Sequence, residues 1–100
     1  MTSIYLVSYD IQNDRQRKKV ADKLIELGLE RVQYSVFAGP LKDHLLLQLK
    51  AWLPPHLPGP EDRLFLLPLP MQSIRRGMYI GSNLLDEAYM LNTQHTLYFD

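Results

Sequence analysis

Apolar and polar residues alternate through the first stretch of the chain. In SIYLVSYD, Ser3 to Asp10, an extended strand puts Tyr5, Val7 and Tyr9 on one row. Ile4, Leu6 and Ser8 form the other row, and Asp10 closes it. Both rows are largely apolar, which is the pattern of a central strand covered on both faces. The period then becomes helical. From Asp14 to Leu27, the residues Val20, Ala21, Leu24 and Leu27 share one face. Asn13 or Asp14 suits the N-cap, and Gly28 stands where a C-terminal glycine belongs. Arg17 lies one turn earlier on the same face, so its side chain is predicted to run along the core side, near the loop after Asp10.

Glu30 to Ala38 reads as a second strand, with Val32, Tyr34 and Val36 on one row and Arg31, Gln33, Ser35 and Phe37 on the other. Gly39-Pro40 is expected to end it. Leu41 to Leu53 reads as a second helix, with Leu45, Leu46, Leu49, Trp52 and Leu53 on its apolar face. The proline-rich run from Pro54 to Pro60 is a stiff surface loop inside one domain, residues 1–100. Asp62 to Leu69 reads as a third strand with Pro68 at its end. Arg75-Arg76-Gly77 leads into a short strand, Met78 to Gly81. Ser82 to Leu91 fits either a helical turn or irregular chain, and Thr96 to Phe99 reads as a terminal edge strand added to a partner chain.

This order does not give a strict βαββαβ chain, because the second helix precedes the third strand. Every version of it is an α+β sandwich, an antiparallel sheet with helices on one face. Two helices cover only one face, yet the first and third strands are apolar on both rows. The simplest cover for the second face is another copy of the chain across a two-fold axis, giving a homodimer that associates through the sheet. With Asp10 near that axis, two carboxylates would converge and repel unless a cation sat between them. Mg²⁺ suits such a place: it takes one or two carboxylates, keeps several waters and binds phosphate oxygens.

Charge changes the picture locally. The formal net charge is zero, so no general basic field exists for nucleic acid. Arg15, Arg17, Lys18 and Lys19 nevertheless crowd the first turns of the first helix, and no Lys or Arg follows Arg76. The helix dipole disfavours cations there by about 0.3–1 kcal/mol each, whereas a helix N-terminus with cations favours phosphate. A solvated helix face is the plain alternative. The chain has no cysteine, which leaves nothing to suggest a disulfide scaffold or a zinc-thiolate centre. Its N-terminal apolar run has no basic region before it and is too short to span a bilayer, so no membrane association and a cytoplasmic location are expected. His44, His56 and His95 lack metal-ligand spacing. Tyr5, Tyr9 and Tyr34 read as core or interface residues in preference to base-stacking platforms.

YLVSYDI, the basic helix with Arg17 and Lys19, and the run Arg31-Val-Gln-Tyr-Ser-Val-Phe37 together resemble the CRISPR-associated protein 2 family. DRLFLLPL and MYIG are similar to its third and fourth strands. The resemblance implies a ferredoxin-like protomer in an obligate homodimer with a Mg²⁺-dependent phosphodiesterase centre at the interface. It implies Asp10 as metal ligand and catalytic residue, and Arg17, Lys19 and Arg31 as phosphate contacts or transition-state stabilisers. Ser35 and Phe37 would lie at the interface beside the metal, with Tyr9 near them. With the cations Arg15 and Lys18, these arginines and lysine form the expected nucleic-acid-binding set. Lysine at position 19 stands where the family often has arginine, which keeps the charge and loses the bidentate fork. The implied partners are DNA or RNA and the CRISPR integrase, in spacer acquisition. Three functions fit: a metal-dependent endonuclease, a non-cutting DNA-binding scaffold, and a related VapD-type toxin ribonuclease.

Overall fold

The computed structural model describes residues 1–78 and residue 80. The expected strand at 78–81 is not formed at Met78 or Ile80, and its other two positions lie outside the described residues. The open segment 82–91 and the terminal strand 96–99 also lie outside them. The elements run β1 (Thr2–Asp10), α1 (Asp14–Glu26), β2 (Glu30–Gln33), β3 (Val36–Lys42), α2 (Asp43–Trp52), β4 (Arg63–Leu69) and α3 (Met71–Arg76). A 3₁₀ turn at Pro54–His56 follows α2.

The run expected as one strand is two. β2 and β3 form a hairpin that turns at Tyr34 and Ser35. The turn has none of the Gly, Asn or Asp that usually mark one. This split restores strict βαββαβ order, because α2 now follows the third strand. The sheet is antiparallel, ordered β2-β3-β1-β4, which is the ferredoxin-like α+β arrangement.

Gly39-Pro40 does not end a strand but lies inside β3. A Cβ at Gly39 would stand 3.1 Å from the Leu29 Cα, so glycine there admits the chain that enters β2. Opposite β2, β3 is paired only as far as Ala38, so Pro40 sits where no β2 residue faces it. Pro68 likewise lies within β4, at the sheet edge, opposite Tyr5. The second helix starts at Asp43, since Leu41 and Lys42 complete β3.

The larger core lies between the sheet and the helices α1 and α2. Val7, Tyr9, Phe37 and Leu41 meet Val20, Leu24, Leu49 and Leu53 there. On the opposite face, Ile4 and Ala38 are covered by Ile74 of α3, with Leu6, Val32 and Leu69 beside them. The helix α3 was not expected from the sequence, and it closes only part of this face. Phe65 and Leu67 of β4 remain 60% and 51% exposed.

Candidate functional site

β1 carries Asp10 to the end of the sheet. Asp10 follows Ile4, Leu6 and Ser8 on the face that α1 and α2 do not cover. Its carboxylate is exposed, and Arg63 stands directly opposite on β4, with Nε 3.9 Å from Oδ2. Ser8, Tyr9, Asp10, Arg63 and Phe65 line a shallow cavity of about 210 Å³. Arg63 did not enter the sequence-derived site. An antiparallel pairing of the two apolar strands would have placed it there, but the sequence does not give that register.

The loop after Asp10 is held from two sides. Arg17 donates from Nη1 to the Ile11 carbonyl at 2.7 Å and pairs through Nη2 with Asp14. Its expected direction along the core side is thus observed, and its immediate use is to close the loop onto α1. From the other side the Asp62 carboxylate accepts from the Gln12 amide at 3.2 Å and from the Gly59 amide at 2.8 Å. Glycine suits position 59 because a Cβ there would meet the Asp62 carboxylate at 2.8 Å. Asn13 is the N-cap of α1, accepting from the Gln16 amide at 2.9 Å.

The cations of the first helical turns divide into two groups. Arg17 is committed to the loop, and Lys18 pairs with Asp22 at 2.8 Å. Arg15 and Lys19 are exposed and form no ion pair among the described residues. Arg31 reaches around the hairpin, donating from Nη1 to the Tyr34 carbonyl at 2.9 Å, and lies 5.0 Å over the Phe37 ring. A second cleft, about 430 Å³, opens between α1 and the hairpin and is lined by Tyr9, Arg17, Arg31 and Tyr34 among others.

Tyr9 and Phe37, expected at the interface, are buried within the single chain at 6% and 0% exposure, their rings stacked with centroids 6.2 Å apart. They face α1 and α2, away from the sheet face that carries Asp10, because strand alternation sends neighbouring side chains to opposite sides. Ser35 is half-buried in the turn, and its carbonyl accepts from the Tyr9 amide at 3.1 Å. Burial raises the Tyr9 phenol above its ordinary value, with Tyr34 adding to the effect and Arg31 and Arg17 opposing it. Tyr34, read as a core or interface residue, is 68% exposed in the turn.

Among the described residues no group of three His, Cys, Asp or Glu side chains could hold a metal ion. Asp10 is a single exposed carboxylate, which fits a cation that keeps most of its waters and takes one or two carboxylates.

Residues 3–76 match the family model described as CRISPR associated protein Cas2. A CRISPR-associated endoribonuclease Cas2 2 of Synechocystis sp. is 42% identical over 80 residues, covering 78% of this chain and 84% of the relative. A CRISPR-associated endoribonuclease Cas2 of Aeropyrum pernix is 32% identical over 81 residues, covering 81% of this chain and 88% of that protein. Among solved structures, a hypothetical protein of Thermus thermophilus superimposes with a TM-score of 0.71 at 33% identity, over 85% of this chain and 98% of its own. A crystal structure of cas2 gives 0.67 at 21% identity over 86% of this chain and 93% of its own, a likeness of fold alone. With sequence and βαββαβ architecture in agreement, the chain belongs to the CRISPR-associated protein 2 family.

Proposed function

We propose that two copies of this chain associate through the partly covered sheet face and that Asp10 of each supports Mg²⁺-dependent hydrolysis of a nucleic-acid phosphodiester. The observation that carries the reading is the place of Asp10. It is an exposed carboxylate at the end of a central strand, beside apolar Phe65 and on the sheet face that also leaves Leu67 exposed, in a chain whose described residues hold no metal cluster of their own. Such a site is half a site, and a two-fold partner supplies the other half. Bound Mg²⁺ would neutralise phosphate charge and promote attack by water. The chain's own side chains fix the geometry around it. Arg17 and Asp62 hold the loop that follows Asp10, and Arg63 balances the carboxylate. RNA is the favoured substrate, since the curated relatives named above are called endoribonucleases. The test is cleavage of RNA and DNA strands with and without Mg²⁺, by the parent chain and by Asp10→Asn. Cleavage should be lost in the variant while thermal stability holds or rises. An Asp10→Asn chain that cleaves like the parent overturns the reading.

A scaffold role in CRISPR adaptation, with duplex DNA and the CRISPR integrase as partners, is favoured by a separate observation. Arg15 and Lys19 stand exposed on α1 without ion-pair partners among the described residues, available to backbone phosphates. Asp10→Asn should keep DNA binding and integrase assembly under this reading. Spacer capture that persists without cleavage would make the scaffold the principal function.

A further inference from the structure

The turn between β2 and β3 presents an aromatic ring where a small polar residue is usual. Tyr34 adds little to the core, being 68% exposed. It is nonetheless held in place. Arg31 binds its carbonyl at 2.9 Å, and the guanidinium carbons of Arg17 and Arg31 lie 5.7 and 5.9 Å from its ring centre. The ring thus projects from a braced turn and lines the 430 Å³ cleft together with Tyr9, Arg17, Lys18 and Arg31. Two acids also line the cleft, Asp14 and Asp22, but Arg17 and Lys18 already pair with them. Arg31 is left without a counter-charge among the described residues. An exposed aromatic ring with two guanidinium groups over it, one of them without an ion pair among the described residues, is the chemistry that takes an unpaired nucleotide, base on the ring's exposed part and phosphate on the cation. The turn also neighbours the end of β1, because the Tyr9 amide donates to the Ser35 carbonyl. A nucleotide seated there would lie around the sheet end from Asp10.

We propose that Tyr34 is the stacking platform of a nucleotide subsite, which seats one unpaired base of a nucleic-acid strand while Arg31 holds its phosphate. The proposal rests on the reading of the chain as a nucleic-acid-binding protein. It selects single strands, since a base inside a duplex offers no free face.

The test measures binding of an unstructured RNA oligonucleotide to the full chain in EDTA, where metal-dependent cleavage cannot intrude. Tyr34→Ala should weaken binding roughly 5- to 150-fold, and Tyr34→Phe should hold the parent affinity. Neither should alter the salt dependence, whereas Arg31→Ala should lower its slope by about 0.7. With the protein unaltered, the same strand carrying abasic sites should lose affinity as Tyr34→Ala does. Duplex RNA of equal length should bind Tyr34→Ala and parent alike. Parent-level binding of single strands by Tyr34→Ala, equal losses for duplex and single strand, or indifference to abasic sites would each overturn the proposal. The two readings fail separately. A cleaving Asp10→Asn chain removes the metal site and leaves this binding result standing, while an indifferent Tyr34→Ala removes the subsite and leaves cleavage untouched.

Discussion

Asp10 and Arg63 face each other in register at the last pair of the β1–β4 ladder, with the Arg63 Nε 3.9 Å from the carboxylate. Both side chains are more than half exposed, so the attraction is screened and worth about 0–1 kcal/mol. The guanidinium nevertheless occupies the field into which a divalent cation would come. Arg63→Ala should therefore tighten Mg²⁺ binding by up to about fivefold and change thermal stability by less than about 1 kcal/mol. Titration calorimetry with Mg²⁺ alone decides it; unchanged affinity means the pair does not compete with the metal.

The α1 cations that form no ion pair among the described residues, Arg15 and Lys19, should set the salt dependence of duplex binding. Replacing Arg15 and Lys19 by alanine should lower the slope on B-DNA by about 0.9 for each phosphate that is no longer neutralised. Lys18→Ala should do less, since Lys18 is already paired with Asp22. Equal slopes for parent and Arg15→Ala/Lys19→Ala would mark the run as a solvated helix face.

Phe37 separates core from interface. Fully buried within one chain, it should cost about 3–5 kcal/mol of stability when replaced by alanine, at any protein concentration. Denaturant titration at two concentrations checks this. A loss that appears only through weaker association would place Phe37 at the interface after all.

Raising the Tyr9 phenol above 10.0 has a definite sign for stability. The folded chain holds this proton more tightly than the unfolded one, so the contribution is complete below pH 10.0 and is lost as pH climbs through the raised folded value. Tyr9→Phe should flatten that alkaline fall. Chemical denaturation across the alkaline range measures it, and an unchanged fall would assign the effect to other groups.

Much of this was legible in the residues, and the failures share one origin. α1 could be read from its caps and the spacing of Val20, Ala21 and Leu24, since all of those signals are local. Asp10 could be read because alternation within one strand gives its row. The hairpin could not, because Tyr34 and Ser35 turn the chain without a Gly, Asn or Asp, and Gly39-Pro40 looks like a break while serving a close approach to Leu29. A single missed turn reversed the apparent order of helix and strand and gave Tyr34 the place of a core or interface residue on a strand, where the structure has it exposed in a turn. Arg63 and Asp62 were missed because their roles depend on pairing across the sheet and between loops. The packing of Ile74 on the second face likewise depends on how the chain returns after β4.

The ladder between β1 and β4 also bears on how the chain reaches its native state. Asp10 and Arg63 are 53 positions apart, and β4 follows both helices of the βαββαβ unit along the chain. Pairings this remote carry a high loop-closure entropy and slow the approach to the native fold. Until β4 docks, one edge of β1 is bare, and a bare strand edge is a template for another chain. Refolding at rising protein concentration should then divert more molecules into strand-exchanged or aggregated species, and Asp10 should be the last candidate-site residue to find its native neighbour.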